Sequence, residues 1–160
     1  RLQHFCTGGI SFTRFHCLMP EATTLPRSAR DEIGGVIYFP RLCDKVRLIH
    51  AGTLHPDFHG NLGLGMDLWV CQFLGVAYED LKAQILAGAT DEDALAWARD
   101  NGITRPDYEL AWFTSYITNR GLRDDMSQRL AERKKEDPKT DHDDIITFMD
   151  YIEVDEGRSL

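Results

Sequence analysis

The sequence contains no apolar run long enough to span a membrane, and its basic residues are outnumbered by acidic ones. Among 160 residues, 18 are Lys or Arg and 26 are Asp or Glu, giving a formal net charge of −8. A nucleic-acid-binding protein needs a basic face to neutralise phosphates, and an anionic membrane surface attracts basic segments. The charge therefore argues against nucleic-acid and membrane partners.

Cysteine is also scarce. The chain has four cysteines, and no two of them form the C-x-x-C pair of a zinc or redox motif. Cys43 and Cys71 lie in apolar periodic segments, which favours buried thiols in a reducing compartment. We therefore expect a cytoplasmic protein.

Acidic residues are missing from Arg1–Leu18, and this segment shows no clear helical stripe. Met19 is followed by sequence that is typical of the start of a protein. We interpret residues 1–18 as a non-native or disordered leader and residues 19–160 as a single domain. A targeting peptide is the alternative, although basic side chains interrupt the apolar stretch Phe12–Leu18 and make it a poor signal core.

Alternating strand patterns of any length are absent, whereas apolar residues recur at helical spacing. We predict an all-α, single compact domain of about seven or eight short helices. The β-prone stretch Val36–Phe39 is the one place where a short extended segment is an alternative. The predicted core comprises Leu42, Val46, Ile49, Leu68, Val70, Phe73, Leu81, Ile85, Trp97, Phe113, Phe148 and Ile152.

Capping signals locate the helix ends. Thr90 with Asp93 has the spacing of a capping box, and so does Ser28 with Asp31, which predicts a helix from Ala29. Gly52 suits a left-handed helix end, and Gly75 is expected to stop the helix that follows the loop. Two more helix starts are predicted from acidic residues, which the helix dipole favours at this end: Asp67, and the run Asp141–Asp144.

The loop His55–Asp67 differs from ordinary scaffold sequence. In an extended loop, alternate side chains point the same way, so His55, Asp57 and His59 would share one face. Imidazole and carboxylate groups suit a divalent transition metal such as zinc, iron or manganese, and His50 could add a fourth group. The alternative is a polar loop whose side chains only cap helices and bond to the backbone.

Three glycines within residues 60–65 superficially resemble a phosphate-binding loop. Their order does not match a dinucleotide fingerprint, and no Lys-Ser or Lys-Thr pair follows. Tight turns with positive φ explain these glycines better. Asn61, which lies among them, remains a candidate ligand-binding residue together with the neighbouring histidines.

The one local concentration of basic residues consists of Arg27, Arg30, Arg41, Lys45 and Arg47. Arg41 and Lys45 are candidates for binding a small anionic molecule, because such groups converge on carboxylate or phosphate. The alternative, which we favour, is ordinary pairing on the helix surface, with Asp44 three residues from both Arg41 and Arg47. The acidic ending Glu153–Arg158 is either a frayed terminus or a segment that folds back onto this cluster.

Five segments from Met19 onward carry a resemblance to a known family: PRSARDEIGGVIYFPRLCDKVR at 26–47, AGTLHPDFHGNLGLGMD at 51–67, FLGVAYEDLKAQILAGATDEDALAWA at 73–98, NRGLRDD at 119–125 and DDIITFMDYIEVDEGR at 143–158. On these segments the chain resembles a family of small bacterial proteins catalogued as domain of unknown function 5069 (DUF5069). The resemblance implies no catalytic residue. Phe113 replaces the Asn of a usual Trp-Asn pair, and Leu122 stands where Trp is expected.

Three functional hypotheses follow. The first is a helical domain that binds a small molecule or a protein partner, with its site near His50–Asp67. The second is a small metal-dependent enzyme that uses His55, Asp57 and His59. The third is a structural or interaction protein that forms a homodimer through an apolar helix face.

Overall fold

The structure is a computed structural model that describes residues 23–160, so the predicted leader at residues 1–18 lies outside it. The described chain is mostly helical, as predicted, with seven α-helices, one 3₁₀ helix and one small antiparallel hairpin. In chain order the elements are β1 (Glu32–Ile33), β2 (Val36–Ile37), α1 (Phe39–Ala51), the 3₁₀ helix (Pro56–Asn61), α2 (Met66–Leu74), α3 (Tyr78–Leu86), α4 (Asp91–Asn101), α5 (Asp107–Thr118), α6 (Ser127–Lys134) and α7 (Phe148–Asp155).

The β hairpin replaces a helix that the sequence predicted to begin at Ala29. Gly34 and Gly35 have φ values of 53° and 77°, as a two-residue hairpin turn of the primed type requires. The turn pairs Ile33 with Val36, and the extended segment expected near Val36–Phe39 is confined to Val36–Ile37. The hairpin was missed because each strand is only two residues long, too short to show alternation.

The predicted helix start at Ser28 and Asp31 was wrong. These residues close a turn in which the Asp31 amide donates to the Ser28 carbonyl at 3.3 Å. The Ser28 hydroxyl donates instead to the Glu153 carboxylate at 2.7 Å. The Ser28 side chain, which the local spacing predicted to cap a helix, is therefore bound to a residue 125 positions later in the chain.

The core forms around α1, which contacts α2, α3 and α4. Half of the predicted core residues are buried, and five others are partly buried. Leu68 was predicted wrongly, since it is 37% exposed. In α2 the inward face is occupied by Met66, Val70 and Leu74, and Leu68 lies on the opposite side of the same helix.

Several helix ends follow local signals. Gly52 and Gly75 end α1 and α2 in the left-handed conformation, and Thr90 opens α4 with the predicted capping box. The acidic run Asp141–Asp144 does not start a helix, because Thr147 and Asp150 form a capping box that begins α7 at Phe148. No helix within residues 23–160 is long and apolar enough to cross a membrane.

Candidate functional site

The loop that carries the predicted site folds as a 3₁₀ helix over Pro56–Asn61. Such a helix has three residues per turn, so alternate side chains do not share a face as the extended-loop prediction required. His59 Nε2 donates to the Leu54 carbonyl at 3.1 Å, whereas the Asp57 side chain is 86% exposed and lies 3.5 Å from His55 Nδ1. Asn61 ends the 3₁₀ helix and is exposed to solvent.

These residues do not form a metal-binding arrangement. Across residues 23–160, no group of three or more His, Cys, Asp or Glu side chains could hold a metal ion. His50, the proposed fourth ligand, is exposed in the last turn of α1. The metal hypothesis for His55, Asp57 and His59 therefore remains a prediction without support from their geometry.

Beneath this loop lies a group of buried charged and phenolic side chains, which we call the buried polar cluster (Tyr38, Arg41, Lys45, Asp67 and Glu156). The Lys45 ammonium forms an ion pair with Asp67 and donates to the Tyr38 hydroxyl at 3.1 Å. Lys45 is 4% exposed and Asp67 is 0% exposed. This contact joins the middle of α1 to the first turn of α2.

Asp67 has a second role at this position. Its Oδ2 accepts a hydrogen bond from the Gly63 amide at 3.0 Å, so the carboxylate also orders the glycine-rich loop. Burial alone would lower the pKa of Lys45, but nearby Tyr38 and Asp67 raise it above its ordinary value. Burial, reinforced by Asp67, raises the pKa of Tyr38. At neutral pH, Lys45 is therefore charged and Tyr38 is protonated.

Arg41 occupies the other half of the cluster. Its guanidinium donates to the Arg27 carbonyl at 2.6 Å and to Glu156 Oε2 at 2.9 Å, so the acidic ending folds back onto the basic region. The same group lies 5.5 Å from the ring centre of Phe58 in the 3₁₀ helix. Burial lowers the pKa of Arg41, but the hydrogen bond and charge of Glu156 together with Tyr38 outweigh burial, so the net pKa is raised.

Arg41 and Lys45 are thus held by internal carboxylates and are nearly closed to solvent, with exposures of 2% and 4%. Neither pairs with Asp44, the predicted surface partner of Arg41. The Asp44 carboxylate instead binds Arg27 at 2.8 Å. The two predicted ligand-binding cations have a structural role, because an external anion would have to displace a buried carboxylate.

Tyr38 adopts an unusual backbone conformation at the centre of the cluster. Its φ of 71° places it in the left-handed region immediately before α1, which residues other than glycine rarely adopt. Such strain persists only where the surroundings hold it in place. Here, 95% burial and the hydrogen bond from Lys45 hold the ring.

A cleft of about 290 Å³ lies beside the glycine-rich loop, and we call it the His50 cleft. Apolar side chains from α1, α3 and the loop line part of the cleft. The rest of the lining consists of one imidazole, one phenol, one carboxylate and one ammonium group. Its lining residues are Val46, Ile49, His50, Leu62, Tyr78, Glu79, Lys82 and Leu86.

Three of the polar groups come from α3 and were missed by sequence reasoning. Lys82 Nζ donates to Glu79 Oε2 at 2.9 Å on the surface. Burial, together with the charge of Asp67, raises the pKa of Tyr78, so this phenol remains a hydrogen-bond donor at neutral pH. Of the residues that line the cleft, only His50 and Leu62 belong to the stretch His50–Asp67. The α3 residues could not be predicted, because no pattern of neighbouring residues shows that α3 packs on α1.

The Tyr78 ring also explains one glycine of the loop. Gly63 has a φ of 70°, and a Cβ built there would lie 2.8 Å from Tyr78 Cδ1. Glycine is therefore required both for the backbone conformation and for the close approach of the ring. This observation favours a structural role for Gly63 over phosphate binding.

The fold and these contacts define a small, mostly helical domain with buried ion pairs and a cleft lined by both apolar and polar side chains. Over residues 23–158 the chain matches the family model described as Domain of unknown function (DUF5069), and it belongs to that family. Comparison with curated proteins gives no match.

Proposed function

We propose that this domain binds a small amphipathic molecule carrying an anionic group in the His50 cleft. The observation that carries the proposal is the combination of an apolar surface, from Val46, Ile49 and Leu86, with polar groups along the same cleft. Ligand sites are typically concave and mostly apolar, with a few polar groups that orient the ligand. Two of the residues that line the cleft, His50 and Leu62, belong to the stretch His50–Asp67 in which the sequence predicted a site.

The expected charge of the ligand follows from the groups that remain available. Arg41 and Lys45 are bound internally, which leaves Lys82 and His50 to contact an anion in this region. The surface pair of Lys82 with Glu79 is worth only about 0–1 kcal/mol, so a ligand carboxylate can replace Glu79. Tyr78 would add a neutral hydrogen-bond donor.

A nitrogen-15 NMR titration with hexanoate tests this proposal, with hexylammonium as the probe of opposite charge. We expect saturable shift changes at Val46, His50 and Lys82 with hexanoate and much smaller ones with hexylammonium. Lys82→Ala should weaken hexanoate binding, whereas Lys139→Ala, at an exposed lysine outside the cleft lining, should leave it unchanged. Equal responses to both probes, or no saturable response, would contradict the proposal.

A further inference from the structure

One face of α5 carries a row of exposed aromatic side chains, which we call the aromatic ridge (Tyr108, Trp112 and Tyr116). Their exposures are 57%, 68% and 49%, whereas Phe113 and Ile117 of the same helix are buried in the core. Spacing of four residues puts the three rings in one row along the helix. The packing of the described domain therefore leaves these large apolar groups in solvent.

The rings do not form a flat surface. Tyr108 and Trp112 are tilted by 66° with their centres 5.0 Å apart, and Tyr116 meets Trp69 at 68°. The tilted rings therefore present no continuous flat face along the row on which an extended planar ligand could stack. Tilted rings that project from a helix instead resemble the side-chain ridges by which helices pack against each other.

A groove lies directly beside the aromatic ridge. It has a volume of about 560 Å³ and runs between α5 and the β hairpin. The row of α5 next to the ridge, again with four-residue spacing, consists of smaller residues, including Ala111 and Ser115. The groove is lined by Glu32, Gly35, Asp107, Leu110, Ala111, Thr114, Ser115, Thr118 and Asn119.

We infer that a second copy of this chain docks on α5, with the aromatic ridge of each copy in the groove of the other. A two-fold symmetric interface requires a surface that is complementary to itself, and here the ridge and the groove are adjacent on one helix. Antiparallel packing of the two α5 helices about Trp112 places Tyr108 of one copy near Tyr116 of the other. Helix pairs that interlock such four-residue rows form the commonest packing class.

The available area fits a small dimer interface. Aromatic side chains present about 150–250 Å² each, so the ridge at these exposures offers on the order of 300–400 Å² per copy. The exposed side chains along the groove enlarge this patch toward the roughly 800 Å² per partner of a standard interface.

Light scattering and sedimentation between about 1 and 100 μM, where moderate complexes dissociate, test this inference. We expect a reversible dimer. Trp112→Ala should weaken dimerisation on the order of 100-fold, because each dimer loses two central aromatic groups. Ser115→Arg, which fills the groove, should weaken it as well. Leu64→Ala, at another exposed apolar side chain, should not.

Mixing the two variants gives a sharper result. The intact ridge of the Ser115→Arg chain can enter the intact groove of the Trp112→Ala chain, so the mixture should associate more tightly than either variant alone. Circular dichroism should show that both variants are folded. A monomeric wild type over this range, or a Trp112→Ala variant that dimerises normally, would overturn the inference, as would a mixture that associates no better than its components.

Discussion

At the residue scale, the fold depends on two cations that are withdrawn from solvent. Lys45 pairs with Asp67, and Arg41 pairs with Glu156, all four at side-chain exposures of 5% or less. Replacing a buried ion pair by apolar groups is often tolerated, whereas removing one partner leaves an uncompensated buried charge. The cost of a substitution here therefore depends on whether one or both partners change.

We expect Lys45→Met to destabilise the protein by about 3–5 kcal/mol, because Asp67 would remain buried without its counter-ion. The double variant Lys45→Met with Asp67→Leu should recover most of this loss. It should not recover all of it, since the Gly63 amide then lacks its acceptor. Urea denaturation measures the free energy of unfolding for each protein.

Lys82→Met provides the matched control, because Lys82 forms a surface pair with Glu79. Its effect should stay within about 1 kcal/mol. If Lys45→Met costs no more than this control, the buried ion pair does not have the structural role that we assign to it.

At the element scale, short helices depend on caps at their first residues. The Thr147 hydroxyl accepts from the Asp150 amide at 3.1 Å, and the Asp150 carboxylate accepts from the Thr147 amide at 2.9 Å. The Phe148 amide also donates to the Arg120 carbonyl at 2.8 Å. These contacts start α7, the helix whose end carries the C-terminal contacts to α1.

Thr147→Ala should lower the stability by about 0.5–2 kcal/mol, the usual effect of removing a helix cap. Thr147→Ser retains the hydroxyl and should keep most of this stability. Thermal unfolding of the two variants provides the comparison. Equal destabilisation by Ala and Ser would attribute the effect to the lost methyl group and not to the cap.

At the scale of the whole molecule, the C-terminal segment closes the fold over residues near its beginning. Glu153 accepts from the Ser28 hydroxyl at 2.7 Å and from the Ala29 amide at 3.0 Å. Arg158 donates to the same carboxylate at 2.7 Å. Burial raises the pKa of Glu153, but these hydrogen bonds outweigh burial and lower the pKa below its ordinary value.

The lowered pKa gives a definite pH dependence. The contribution of Glu153 is fully present above the pKa of an unfolded glutamate, about 4.3, and is lost as the pH falls through the lower folded value. Glu153→Gln should therefore lower the melting temperature at pH 7, and the difference from wild type should shrink toward pH 3. Exposed Glu132→Gln serves as the control. A difference that does not change with pH would refute this explanation.

A second prediction at this scale concerns Arg41. Glu156→Ala leaves the buried guanidinium without its carboxylate, and we expect a loss of about 3–5 kcal/mol. Chemical denaturation of this variant beside Asp155→Ala, at an exposed neighbour, measures the effect. Similar stability of the two variants would mean that the segment is attached by other contacts.

The sequence alone determined the features governed by neighbouring residues. Gly52 and Gly75 end helices as predicted, and Thr90 opens α4, because a helix end is decided by bonds within a few residues. The helical class, the burial of Cys43 and Cys71, and the family were also predicted correctly. Of the residues that line the His50 cleft, only His50 and Leu62 lie in the stretch that the sequence singled out.

Tertiary structure alone decided which charged groups meet. Asp67 had the local signature of a helix cap, yet its main partner is Lys45, 22 positions earlier in the chain. Arg41 and Glu156 are 115 positions apart, and Tyr78 and Lys82 reach the His50 cleft only because α3 packs on α1. Coulomb attraction and desolvation depend on distance and burial in space, and residue spacing along the chain determines neither of them.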